Sequence, residues 1–313
     1  MPELRGDALT GDEVLLAPSR STRPHTTPGP GVEADPGPAR CPFCPGHEAE
    51  TPPEVARVGD GEPGGPGWRA RAFPNKYPIV GGPDAGPGAT GAHEVVVLSP
   101  DHRRDLAALS DRAADEALGL VRARARALGD AGHAHVQVCV NQGRAAGASI
   151  AHPHAQLVAL DVVPPAVTAA LARFAARADL VAADWAAAEA AGQTLVDGPA
   201  RAWCPVGSSS PYEVRVAAPG AGRRFADASD GELGAVTRTV RDVLDRLAAL
   251  LGAPPYNVVV YDAPTTGDDP YHWWVRVVPR LEVAAGFELG TGLAVESVDP
   301  ARSAAALRER SSG

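Results

Sequence analysis

The densest run of reactive side chains is NQGRAAGASIAHPHAQ, residues 141–156. Read as a loop entering a strand, it places His152, His154 and Gln156 on one face and Pro153, Ala155 and Leu157 on the other, because strand side chains alternate. Two imidazoles and an amide aligned behind a Gly-rich loop suit chemistry at phosphorus. One imidazole can bind a metal, the other can attack a phosphorus atom, and the amide can hold a phosphate oxygen. The Gly147-Ala148-Ser149 segment lets backbone N–H groups approach an anion closely, and Ser149 adds a hydroxyl. The plainer alternative, two half-exposed strand histidines, leaves the anion-shaped loop unexplained.

A second reactive feature is Cys41-Pro42-Phe43-Cys44. A C-x-x-C pair is either a redox couple or half of a zinc site. A redox pair normally opens a helix, whereas Pro42 and Pro45 here make a loop, which favours zinc. Tetrahedral closure needs two further ligands. Among the nine histidines, His102 and His152 are the best candidates, with His47 and His93 as alternates.

The elements that must position these groups occur twice. HEVVVLSPDHRR (93–104) and YEVRVAAPGAGRR (212–224) are each followed by a Ser-Asp helix start, at 110–111 and 229–230. An amphipathic helix follows in each case, marked by Leu118, Val121, Ala125 and Leu128 in one and by Leu233, Val236, Val240, Val243, Leu244, Leu247 and Leu251 in the other. β-type runs come next, AHVQVCVN (134–141) and YNVVVYD (256–262). Each leads through a loop into a histidine-bearing strand, IAHPHAQLVALD (150–161) and YHWWVRVVPRLE (271–282). Offsets of 119 residues for His93 to Tyr212 and 120 for His152 to His272 make this a duplication. Each copy reads strand, helix, strand, loop, strand: an α+β fold of antiparallel sheets with packed helices. The division is 1–192 and 193–313, joined through an Ala-rich helical stretch near 165–192. Gly- and Pro-rich stretches at 26–40 and 59–67 read as surface loops.

Composition narrows the function. A chain of 313 residues that is 44% hydrophobic can bury an ample core. A net charge of −9 argues against nucleic acid or an anionic membrane as partner. No apolar run reaches the length of a membrane span, and the N-terminus has no signal pattern. Four cysteines in a chain of this length do not make a disulfide framework, so the reducing cytoplasm is the default compartment. Cys139, inside an apolar strand, and Cys204, beside Trp203, read as buried small hydrophobes. His133 and His135 read as structural, and Arg122, Arg124 and Arg126 as a solvated helix face.

CPFC, RAFPNKYP, HEVVVLSPDH, the GASIAHPHAQ segment and HWWVRVVPRLEVAAGFELGTG together resemble the galactose-1-phosphate uridylyltransferase family. That branch of the histidine-triad superfamily also contains ADP-glucose phosphorylases. The resemblance runs from about Arg20 to Leu307. It implies a tandem duplication of a histidine-triad half-barrel, in agreement with the repeat. It further implies that His154 is the nucleophile forming a covalent nucleotidyl-histidine. Gln156 would hold the transferring phosphoryl group and Ser149 would touch its oxygens. Asn75 and Asn141 would line the nucleotide and phosphate pocket, and Glu288 would contact the hexose. Arg20 and Arg23 would reach phosphates across the interface of a homodimer. One zinc ion would be held by Cys41, Cys44, His102 and His152.

The implied reaction moves a nucleoside monophosphate from an NDP-hexose to a hexose 1-phosphate by ping-pong. Phosphorolysis with inorganic phosphate as acceptor, and hydrolysis by water, are the alternatives. A zinc-stabilised nucleotide-binding protein without catalysis is the non-enzyme alternative. The second copy departs from the family. Trp274 stands where many relatives have a second histidine, and Ala169 and Ala170 stand near the position of a metal-binding glutamate, so no second metal is expected. Trp273 and Trp274 then read as packing residues. Glu282 stands where relatives acting on UDP-hexoses often have a lysine, which leaves the sugar and acceptor open.

Overall fold

Two helices with strong apolar stripes and a set of short, β-branched strands can bury their faces only against one another, and they do so as two layers. The computed structural model describes residues 2–18, 37–82, 85–86, 88–103 and 105–309. Arg20, Arg23 and His25 lie outside those residues. A small sheet near the N-terminus contains β1 (Glu3–Gly6) and β2 (Glu13–Leu16). The main sheet begins with β3 (Ala56–Gly59), β4 (Trp68–Pro74) and β5 (Gly91–Val97). Helix α1 (Asp111–Asp130) leads to β6 (His135–Gln142) and β7 (His154–Leu160). The Ala-rich link forms two helices, α2 (Pro165–Ala176) and α3 (Leu180–Ala190).

The second half continues with β8 (Thr194–Val196), β9 (Arg201–Trp203) and β10 (Val214–Ala217). Helix α4 (Asp230–Leu251) leads to β11 (Tyr256–Tyr261) and β12 (Trp274–Pro279). The chain closes with α5 (Gly286–Thr291), β13 (Ala294–Glu296) and α6 (Pro300–Glu309).

Ten strands run β3-β4-β5-β7-β6-β11-β12-β10-β9-β8 in one sheet whose pairings are all antiparallel. The central six read as a palindrome: β5, β7 and β6 of the first copy face β11, β12 and β10 of the second. The copies meet at the β6–β11 pair, where Asn141 lies opposite Asn257. This is the duplicated α+β architecture expected from the repeat. Both long helices start at the serines read from the sequence. Ser110 Oγ accepts from Ala113 N at 3.3 Å and Ser229 Oγ from Glu232 N at 3.2 Å.

One face of the sheet carries the core. Ala155, Leu157 and Ala159 of β7 and Val136, Val138 and Val140 of β6 pack there with Val121, Ala125, Val240 and Leu247. The alternate residues, His154 and Gln156 among them, face away from α1 and α4. Over the second copy that opposite face is filled by Phe174, Trp185, Tyr271 and Trp274. Trp274 stacks on Tyr261 with ring centroids 4.0 Å apart, and Arg215 lies over its ring. Arg215 is fully buried and paired with Asp7 and Asp184. Ala170 belongs to the same apolar cluster.

Several expectations change. Arg122 and Arg124 are half-buried and not solvated, Arg122 pairing with Asp230 and Arg124 with Glu94 at 2.6 Å; Arg126 is exposed as expected and also donates to Ala226 O. They clamp α1 to β5 and to the second copy, because α1 packs between them. Cys139 is not on the core face. It is partly exposed opposite Gln156, since β6 alternates with Val138 and Val140 inward. Cys204 is buried as expected. The GFELGTG segment forms the short helix α5. The β1-β2-β13 sheet, with β2 and β13 parallel, had no local sequence signal.

Candidate active site and metal centre

Strand β7 begins at His154, so His152 lies in the bend just before it. Its side chain therefore escapes the strand alternation and turns into a cluster with Cys41, Cys44 and His102, all four buried. Cys44 Sγ lies 3.3 Å from His102 Nδ1, and His152 Nδ1 lies 3.6 Å from both sulfurs. The ligand atoms all fall within 4.8 Å of one another. Tetrahedral zinc, with bonds of about 2.0–2.3 Å, needs S···N separations of about 3.6 Å. Two thiols and two imidazoles at this spacing fit that ion.

The outer atoms complete the arrangement. His152 Nε2 donates to Ser99 O at 2.7 Å, which leaves Nδ1 with its lone pair toward the cluster. Burial pushes the His152 imidazolium down to about 4, so the ring is neutral, the form that binds metal. His47 and His93, the alternates, are not in the cluster. His47 Nδ1 is 2.6 Å from Cys41 O, and this contact braces the CPFC loop instead. Among the described residues no other group of His, Cys, Asp and Glu side chains converges in this way.

His154 sits one strand step beyond His152. Its Nδ1 donates to His152 O at 2.8 Å, so the unprotonated nitrogen is Nε2. Phe43, from between the two cysteines, packs edge-on against the His154 ring at 5.3 Å. Burial holds His154 below the ordinary histidine range, helped by the nearby His93. A neutral imidazole of fixed tautomer, backed by an apolar wall, is a competent nucleophile toward phosphorus.

Gln156 lies on the same face as His154, opposite Val95 on β5 and Cys139 on β6. Its Oε1 is 3.0 Å from His93 Nε2. Asn75, just after β4, lies beside the same ring with Nδ2 3.2 Å from His93 Nε2. Asn141 is held from the second copy: Asn257 Nδ2 donates to Asn141 Oδ1 at 2.7 Å and to Ala146 O at 2.8 Å. Asn257 thus ties the candidate nucleotide residue to the Gly-rich loop. Sequence reading missed both His93 in this role and Asn257; at the repeat offset Asn257 corresponds to Gln137 and not to Asn141, so the repeat itself gave no signal for the pair. Ser149 is exposed in the loop before β7.

Glu288 is not brought to this group. On α5, it accepts from Ala285 N at 2.9 Å and lines a cleft with Ser209, Pro279, Arg280 and Glu282, which holds none of the β7 residues. Two parts of the expected site therefore lie apart within one chain.

Residues 86–164 match the family model of the galactose-1-phosphate uridyl transferase N-terminal domain. The chain is 30% identical over 328 residues to an ADP-glucose phosphorylase of Arabidopsis thaliana, across 98% of this chain and 93% of that protein. The crystal structure of an ADP-glucose phosphorylase from Arabidopsis thaliana with bound ADP-glucose superposes with a TM-score of 0.85 at 28% identity, covering 99% of this chain and 98% of that one. A solved uridylyltransferase gives a TM-score of 0.71 at 26% identity, with 99% and 98% covered. With a relative this similar along almost its whole length, the chain belongs to the galactose-1-phosphate uridylyltransferase family of nucleotidyltransferases, which includes ADP-glucose phosphorylase-like members.

Proposed function

We propose that the protein transfers a nucleoside monophosphate from an NDP-hexose to inorganic phosphate, in the manner of an ADP-glucose phosphorylase, through a covalent nucleotidyl-His154. The observation that carries the chemistry is the fixed tautomer of His154, whose Nδ1 is committed to His152 O. Nε2 then attacks the α-phosphorus of the donor. A P–N bond forms, the bond to the bridging oxygen breaks, and hexose 1-phosphate leaves as a stabilised anion. A phosphate oxygen next attacks the same phosphorus, the P–N bond breaks, and the nucleoside diphosphate is released. Cationic and amide donors around the α-phosphate carry most of the rate enhancement, because the charge stays on its oxygens. Gln156 and Ser149 serve there, and Asn75 and Asn141 hold the nucleotide and its phosphates.

The likeness to ADP-glucose phosphorylases supports adenosine as the nucleoside and phosphate as the acceptor. Transfer to a hexose 1-phosphate is the second reading, supported by the match to the uridyl transferase family model. Zinc held by Cys41, Cys44, His102 and His152 would anchor the backbone that orients His154. Residues 1–192 would carry this chemistry, and residues 193–313 a half without its own nucleophile. We place Glu288, Arg20 and Arg23 against the site of a second copy in a homodimer. The separate cleft of Glu288 supports that reading, as do the exposed Val283, Phe287 and Leu289 around it.

The test is incubation with ADP-glucose labelled at the α-phosphate and no acceptor. One equivalent of acid-labile label on the protein, discharged by phosphate as ADP, is expected. Continuous release of AMP would instead mean hydrolysis. Discharge by galactose 1-phosphate but not by phosphate would favour the second reading. Sedimentation at micromolar protein concentration should give a dimer; a monomer with full activity would remove Glu288, Arg20 and Arg23 from the site.

A further inference from the structure

His93 sits on β5 diagonal to Gln156. The register pairs His93 with Val158 and Val95 with Gln156, so the two side chains share the open face two residues apart. His93 is buried, and its ring meets three polar groups. Ile79 N donates to Nδ1 at 3.3 Å, Gln156 Oε1 lies 3.0 Å from Nε2, and Asn75 Nδ2 lies 3.2 Å from Nε2. A backbone N–H cannot exchange donor for acceptor, so Nδ1 must be the unprotonated nitrogen. The single proton of a neutral ring is then on Nε2, and its acceptor is Gln156 Oε1. In this tautomer the Asn75 amide is a neighbour of Nε2 and not its hydrogen-bond partner. Asn75 is oriented independently, because its Oδ1 accepts from Tyr77 N at 2.9 Å.

The consequence falls on Gln156. An amide can be turned end for end at little cost, and the two ends have opposite effects on a phosphoryl oxygen: N–H₂ stabilises its charge and C=O repels it. With Oε1 held by His93, the N–H₂ end is the one left for the site, and among the described residues it has no hydrogen-bond partner. Building on the proposed transfer through His154, we propose that His93 is a positioning residue that sets the Gln156 amide with its donor end toward the transferring phosphoryl group. Burial keeps His93 below the ordinary histidine range, in keeping with a neutral, single-proton ring. The contact to Gln156 works against that shift without reversing it.

The experiment uses the full-length, metal-loaded protein and α-labelled ADP-glucose without acceptor. It reads the maximal single-turnover rate of protein labelling and the half-saturating ADP-glucose concentration. His93→Leu, close in volume but with no donor, should slow the maximal rate about tenfold, the worth of one misplaced charge-stabilising hydrogen bond. Half-saturation should change less than about threefold, because the amide acts mainly in the transition state. His93→Gln, which keeps a donor, should stay within about threefold of the parent. In a Gln156→Ala background His93→Leu should cost less than about twofold, since the residue it acts through is gone.

Leu and Gln variants that are equally slow would reduce His93 to packing and overturn the proposal. An undiminished cost of His93→Leu in the Gln156→Ala background would do the same. A second arm does not depend on activity. Nitrogen NMR of 15N-histidine-labelled protein should show His93 as the neutral Nε2–H tautomer, its Nε2–H signal shifting on Gln156→Ala. A proton on Nδ1 would overturn the proposal even if labelling behaves as expected. A parent protein that never becomes labelled defeats the covalent reading instead, and the NMR arm still decides the His93 tautomer.

Discussion

His152 links the cysteine–histidine cluster to the candidate nucleophile: its Nδ1 lies 3.6 Å from both cysteine sulfurs, and its carbonyl oxygen accepts from His154 Nδ1 at 2.8 Å. The ring of one residue is fixed by the cluster and its backbone fixes the next ring. Disturbing the cluster therefore reaches the chemistry through that peptide unit and through Phe43, which packs on the His154 ring from between the two cysteines.

Cys44→Ser should make that visible. It removes a sulfur that faces both His102 and His152. Metal analysis of the parent, purified without chelator, is expected to give about one equivalent of zinc, and of the variant less than half. The maximal rate should fall more than about tenfold with a lower melting temperature. A parent that carries no zinc yet reacts at full rate would separate the cluster from catalysis. Two equivalents would reopen the second copy, whose counterpart region is packed with Trp274, Tyr271 and Phe174.

His154→Ala should abolish labelling by α-labelled ADP-glucose and lower turnover by about 10⁴-fold or more, as loss of a covalent nucleophile does. The zinc content should be unchanged, because His154 is not in the cluster. Full exchange activity in this variant would mean that the acceptor attacks the donor directly.

Much of this could be read from the chain because the signals were local. Alternation from His154 onward put His154 and Gln156 on one face, two Ser-Asp pairs marked the long helices, and the order of elements repeated. What stayed hidden depended on which strands become neighbours. His93 meets Gln156 only through the β5–β7 register, and Asn257 meets Asn141 only where the two copies join. The pairing of β2 with β13 joins residues near opposite ends of the chain, which no periodicity encodes. Arg122 and Arg124 of α1 misled for the same reason. Their spacing describes a polar helix face, and only packing shows that Glu94 and Asp230 lie across from it. His152 was misplaced by carrying strand alternation one step too far, and its convergence with Cys41, Cys44 and His102 depends on that step being absent.

Asn257 tests the seam between copies. Asn257→Ala removes the donors that hold Asn141 Oδ1 and Ala146 O. Asn141 is half-buried and Ala146 is buried, so stability should fall by about 1–2 kcal/mol. If Asn141 holds the nucleotide, however, the half-saturating ADP-glucose concentration should rise about three- to tenfold while the maximal rate changes less. A purely structural seam would lower the melting temperature and leave half-saturation alone.

Glu296 makes stability depend on pH with a definite sign. The side chain is buried at the end of β13, accepts from Val298 N at 2.6 Å, and has Glu282 and Glu213 nearby. Burial pushes its carboxyl from an ordinary value near 4.5 up to about 8. Between those values the folded protein binds the proton and the unfolded chain does not, so stability falls as pH rises through that window. Glu296→Gln keeps an acceptor for Val298 N and removes the ionisation. Its melting temperature should exceed that of the parent by about 2 °C or more at pH 8, since a chain of this size shifts a few degrees per kcal/mol. The gain should shrink toward zero or reverse at pH 5, where both side chains are neutral. A gain that grew on acidification would mean that Glu296 is held ionised by a partner.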